Sequence, residues 1–211
     1  MGMWMERTAA VIIVAACAAT AGCGDLVRQG RAPVQLVINS LAAAPGAEPD
    51  EFGGALLSDV VTVVQRTVNN QQTDVSTVFN DLGEVTMSLI LKDPGQPGTA
   101  TTPSAINQVT ITRYRVMYRR ADGRNTPGID VPFPFDSAVT FTVPAQGSVT
   151  AGFQLVRQTA KQEAPLATLA FNPDVIATLA EVTFFGRDQA GNDISATGMI
   201  GVDFGNFADP E

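Results

Sequence analysis

The sequence predicts an all-β fold, an antiparallel β-sandwich with long loops. Three observations carry this. Apolar residues alternate with polar ones over many short stretches at near-regular spacing. Helical periodicity is almost absent beyond the leader, leaving room for at most one short helix. Glycine and proline punctuate the chain between the alternating stretches, as turns between strands require.

The elements follow in order. Val34, Leu36 and Ile38 alternate with Gln35 and Asn39 and predict a first strand. Residues 42–55, rich in Ala, Pro, Gly and acids, read as a loop. The β-branched run Val60-Val61-Thr62-Val63-Val64 reads as a strand. Asn69 to Asp74 is polar and reads as a connection. Over 84–92, Val85, Met87, Leu89 and Leu91 share one face, while Glu84, Thr86, Ser88 and Lys92 take the other. Pro94, Gly95, Pro97, Gly98 and Pro103 make 93–105 a long loop.

Over 108–120 the apolar parity changes. Val109 and Ile111 occupy one parity; Tyr114, Val116 and Tyr118 occupy the other. A bulge near Thr112 or Arg113 reconciles them, because one extra residue flips the facing side. Residues 121–128 read as a turn. Val139, Phe141 and Val143 make a strand, and Val149, Ala151, Phe153 and Leu155 make another after Gly147. Residues 159–172 read as a short helix or an irregular crossing. Val182 and Phe184 mark one strand; Ile194, Ala196, Gly198, Ile200, Val202 and Phe204 mark the last. Between them Asp188-Gln189-Ala190-Gly191-Asn192-Asp193 reads as a hairpin, since Gly and Asn tolerate positive φ.

This closing hairpin resembles that of bacterial immunoglobulin-like and fibronectin-type-III-like domains. Tyr114-Arg115-Val116-Met117-Tyr118 is similar to the central strand of those sandwiches. The resemblance covers about a third of the chain and implies architecture only.

The N-terminus carries a second resemblance. An uncharged apolar run, Ala9 to Ala19, follows Arg7 and is closed by Ala21, Gly22 and Cys23. That is the pattern of a cleaved export signal. A membrane span needs about 20 consecutive apolar residues, and this run is shorter. Thr20-Ala21-Gly22-Cys23 resembles the lipobox of bacterial lipoproteins, with Thr20 where the family favours Leu. The resemblance implies acylation of Cys23. Val14-Ala15-Ala16-Cys17 also fits the pattern, but leaves an apolar segment of only about six residues, below the usual range. The expected division is a signal peptide over 1–22, a tether over 23–32, a β-sandwich over 33–207 and a tail over 208–211. Gly24 after the cysteine points, by resemblance to enteric lipoproteins, to the outer membrane; either side of it is open.

Both cysteines lie in the leader, so the remainder has no disulfide framework and no cysteine–zinc site. Net charge is −8, which argues against nucleic-acid binding. Histidine is absent, removing the commonest general base and metal ligand. Lysine occurs only at Lys92 and Lys161. No cofactor is expected.

Three clusters are candidate sites. Arg113, Arg115 and Arg119 share one face of their strand, with Arg120 and Arg124 close behind. Guanidinium forks could grip an anionic glycan, lipid headgroups or an acidic protein; pairing with acids on the next strand is the plainer expectation. Phe133 and Phe135 lie in the proline-stiffened segment Val131 to Phe135, a contact loop or a cap on the core. Asp188, Asn192 and Asp193 could offer oxygens to calcium, but calcium takes about six to eight, and such residues also stabilise turns.

The expected function is a non-catalytic cell-envelope lipoprotein that contacts a protein or glycan partner at the membrane surface. The alternative is an accessory enzyme acting on polysaccharide through two carboxylates about 5–10 Å apart.

Overall fold

The computed structural model describes residues 30–68, 70–93, 95–96 and 102–207. The expected signal peptide over 1–22 with Cys17, the expected acylation site Cys23 and the expected tail over 208–211 lie outside the described residues. In chain order the strands are β1 (Val34–Ala44), β2 (Ala55–Asp59), β3 (Thr62–Val68), β4 (Gln71–Thr77), β5 (Asp81–Leu91), β6 (Val109–Arg119), β7 (Phe135–Val143), β8 (Ser148–Val156), β9 (Ile176–Asp188) and β10 (Asp193–Gly205). One helical turn, α1 (Gln158–Lys161), and a 3₁₀ turn over Leu166–Phe171 fill the crossing from β8 to β9. A second 3₁₀ turn, Ala105–Asn107, precedes β6.

A three-stranded antiparallel sheet, ordered β1-β5-β8, faces a five-stranded sheet, ordered β2-β10-β9-β6-β7. The all-β sandwich follows from the alternation. β5 buries every second residue from Asp81 to Leu89, and β9 from Thr178 to Asp188. One buried apolar cluster runs from Ala32 to Phe204 and draws on both sheets. One pairing departs from the antiparallel expectation: β2 runs parallel to β10, Ala55 against Gly201 through Asp59 against Gly205. It follows a loop that first folds back on β1 through the Ala43–Gly53 bridge.

The third sheet is a ribbon, β3 with β4, paired from Thr62–Thr77 to Val68–Gln71. It corrects two readings. Residues 69–74 were expected to be a connection, yet Gln71–Thr77 is a strand. Its first four residues are all exposed, so no buried face imposes a period of two. Val60 and Val61 precede the ribbon instead of opening it, and Val60 is buried in the core. The unexpected β2 takes part of the sequence between the 42–55 loop and that run.

The bulge in β6 lies where the parity change puts it. Its register shifts between Ile111 and Arg113 against both β7 and β9. There the neighbouring strands approach closely. A Cβ on Gly186 would meet the Thr110 carbonyl oxygen at 2.5 Å, so this place in β9 takes glycine.

Tyr114 and Tyr118 lie under the core side of β6 and reach across the sandwich. Tyr114 packs edge-on to Phe153 at 5.2 Å, and Phe153 edge-on to Phe184 at 5.2 Å. The Tyr114 hydroxyl donates to the Gln154 carbonyl at 3.0 Å and accepts from the Gln154 N–H at 3.2 Å. The Tyr118 hydroxyl donates to the Leu155 carbonyl at 2.7 Å. Leu155 is skipped in the β5–β8 register, between the pairs Asp81–Val156 and Leu82–Gln154. The phenol thus satisfies a carbonyl that the bulge takes out of the ladder. Burial, first, and the Asp81 carboxylate, second, push the Tyr118 phenol far above its usual value.

The pairings give the sandwich two ends. The chain enters beside Pro33, whose carbonyl accepts the Lys92 N–H, and Val34 pairs with Leu91. Ser148, Asp193, Val109 and Val143 open or close their strands on the same side. This is the near end. Ala44, Asp81, Arg119, Val156, Ile176 and Gly205 terminate their strands at the opposite, far end, from which the β3–β4 ribbon also departs.

Candidate functional site

At the far end a charged cluster is sealed inside the protein. β5 begins with Asp81, β2 ends with Ser58 and Asp59, and α1 ends with Lys161. The Lys161 ammonium donates to Asp81 Oδ1 at 2.9 Å and to the Asp59 carbonyl at 2.8 Å. The Ser58 hydroxyl donates to Asp81 Oδ2 at 2.6 Å, and the Gly46 N–H donates to Oδ1 at 3.0 Å. The side chains of Lys161 and Asp81 are each 1% exposed. Taking two charges out of water costs several kcal/mol per ion, so such a pair persists only with good geometry and further hydrogen bonds. Here three donors serve one carboxylate. A cavity of about 170 Å³ adjoins the pair, lined by Gly46, Glu48, Asp59, Phe79, Asp81 and Lys161 among others. No sequence pattern flagged this cluster. The one signal was scarcity: Lys161 is one of only two lysines.

The far end also leaves large apolar side chains in water. Phe171, on the 3₁₀ turn, is 92% exposed, and Ile129, in the β6–β7 loop, is 71% exposed. Phe133 and Val175 are about half exposed. A groove of about 390 Å³ runs between the base of the ribbon and the 3₁₀ turn, lined by Val61, Val63, Ser76, Ala170, Phe171 and Asn206. On the outer face of the five-stranded sheet, Leu57, Leu179 and Met199 are exposed as well. The register sets Leu179 and Ala55 on either side of Gly201, with Met199 and Leu57 one pleat away.

Arg113, Arg115 and Arg119 lie on that same outer face, and Arg120 and Arg124 follow in the loop after β6. Arg113 bonds Asp136 at 2.6 Å and stacks over the Phe185 ring at 4.0 Å. Arg119 pairs with Glu181 at 3.1 Å. Arg120 and Arg124 both grip Asp122, at 2.7 and 3.1 Å. The Arg120 side chain, then the Arg124 N–H, holds the Asp122 carboxyl well below the usual range. Arg115 sits between Asp136 and Thr183 in register and is exposed. Most of the row thus spends its charge on neighbouring acids, in exposed pairs that water screens.

Phe133 and Phe135 part ways. Phe135 is buried, packs edge-on to Tyr114 at 6.2 Å and carries Arg157 over its ring at 4.2 Å. Phe133 stays half exposed, its ring lying over Gly128, where a Cβ would meet it at 2.4 Å. At the near end, Asp188 stabilises its own hairpin. Oδ1 accepts the Ala190 and Asn192 N–H groups at 3.0 and 2.8 Å, and Oδ2 accepts the Asn192 amide at 2.8 Å. Asp193 bonds Arg187 at 2.6 Å. Among the described residues no group of three or more acids, histidines or cysteines is placed to hold a metal ion.

No family model matches the chain, and no curated protein matches it. One solved structure, described as the X-ray structure of a Northeast Structural Genomics Consortium target, is similar over 85% of this chain and 92% of its own. The identity is 9% and the TM-score 0.35.

Proposed function

We propose that this protein is a lipid-anchored module of the bacterial cell envelope that performs no catalysis and holds a protein partner with its far end. One observation carries the choice of partner and surface: Phe171, Ile129, Phe133 and Val175 stand in solvent at the end remote from where the chain enters. Large apolar side chains left in solvent at loop tips favour a protein interface over a glycan site. Acylation of Cys23 would tie the near end to the membrane and leave the far end presented outward. Two attached chains already give stable anchoring. The paired arginines weigh against an anionic glycan as the partner.

A polysaccharide-acting enzyme has less in its favour. Asp59 and Asp81 line one cavity. Both carboxylates accept intramolecular hydrogen bonds, Asp81 from Lys161 and Ser58, Asp59 from Thr62 and the Phe207 N–H.

The test is a pull-down from detergent-solubilised membranes of the producing bacterium, with Cys23→Ala as control. A partner retained by both forms, with only the Cys23 form found in membranes, is expected. Membrane attachment that survives Cys23→Ala would overturn the anchor; a chain that hydrolyses envelope polysaccharide would overturn the non-catalytic reading.

A further inference from the structure

The Lys161–Asp81 contact has the makings of a covalent bond. An amine nitrogen and a carboxyl oxygen lie 2.9 Å apart, both side chains sealed from solvent. Each is held by groups that fix its orientation. The Asp59 carbonyl, 2.8 Å from Nζ, aligns the amine, while the Ser58 hydroxyl and the Gly46 N–H hold the carboxyl group from other directions. Such fixed contact replaces a bimolecular encounter by an intramolecular one, for which effective molarities reach about 10⁵ M and above. We propose that Lys161 and Asp81 condense into an intramolecular amide linking α1 to the start of β5.

The step balances without a co-reactant. A proton passes from the Lys161 ammonium to Asp81 Oδ1 along their hydrogen bond, cancelling two buried charges. The Nζ lone pair attacks Cγ and the C–N bond forms. The carbonyl electron pair moves onto Oδ2, which the Ser58 hydroxyl, at 2.6 Å, is placed to stabilise. A second proton moves from Nζ to the Oδ1 hydroxyl, the Cγ–Oδ1 bond breaks, and water leaves as the Cγ–Oδ2 double bond re-forms. The adjoining cavity receives the water. The product ties positions 80 residues apart. It does so in a chain whose cysteines both lie in the leader, giving the constraint a disulfide would give elsewhere.

Trypsin reads the bond directly. Cleavage sites at Arg66, Lys92, Arg157 and Arg187 bracket the two residues, and an acylated Lys161 is not cut. Mass spectrometry of the full chain, digested after denaturation, is expected to show peptide 67–92 joined to peptide 158–187, lighter than their sum by one water. Asp81→Ala, which removes the carboxyl group, is expected to release 67–92 as a free peptide and to let trypsin cut at Lys161. Lys161→Arg is expected to release 67–92 as a free peptide. Wild-type digests holding only free 67–92 and a chain cut at Lys161 would overturn the proposal. So would a joined pair that persists in Lys161→Arg.

Discussion

The two ends of the sandwich solve the same problem in opposite ways. At the near end the loops are tied down by short local hydrogen bonds. Asp188 caps its own turn, and the Asn107 side chain accepts the Ser104 N–H at 2.8 Å. At the far end the β6–β7 loop is also tied locally, through Asp122 and Asp130, but the buried ties are long-range. Lys161 reaches Asp81 and Asp59 across 80 and 102 residues, and Asn80 accepts the Gln158 N–H across 78. Apolar side chains that the core does not absorb stand beside them in solvent. Local ties need only the turn's own residues. The far end draws on α1, β2 and β5 together, so it is braced from inside. An end braced internally can spare its surface for contact.

The largest expected effect falls on that brace. Lys161→Met strips the buried Asp81 carboxylate of the side chain that holds it, which costs about 3–5 kcal/mol. A domain stable by about 5–15 kcal/mol overall feels this strongly; the urea midpoint of the variant checks it. At the near end, Asp188→Ala removes three hydrogen bonds accepted by one buried carboxylate. About 2 kcal/mol is expected, read from the same curves. A near-end loss exceeding the far-end loss would break the contrast. The smallest effect is expected on the outer sheet face. Arg113→Ala loses an exposed pair and a stacking contact, together about 1 kcal/mol. Retention on an anionic polysaccharide column is expected to stay as in the unaltered chain; clear loss of retention would revive the arginine row as a glycan site.

Much of the fold was legible because one face of each main strand is buried. The parity change at Ile111 and Tyr114 located the β6 bulge, since a buried face tolerates no slip. The Asp188–Asp193 hairpin was readable because its turn chemistry is local. The β3–β4 ribbon was not legible over Gln71–Asp74, where both faces meet water and polar residues mimic a loop. β2 is only five residues long, too short to show a pattern between a loop and a valine run. The Lys161–Asp81 cluster escaped for another reason. Neither residue sits in a motif, and their meeting depends on how α1 packs over the sheet end. The exposed Phe171 was hidden in a stretch with no clear period.

The contrast between the ends is most directly tested by moving one charge to each. Phe171→Asp places an acid on the far-end surface, and Ile106→Asp places one at the near end, where Ile106 is also exposed. Both lie in solvent, so both variants are expected to keep the unfolding midpoint of the parent. In a pull-down from detergent-solubilised membranes, Phe171→Asp is expected to lose the partner while Ile106→Asp retains it. Loss with Ile106→Asp and full retention with Phe171→Asp would place the interface at the near end and contradict the account.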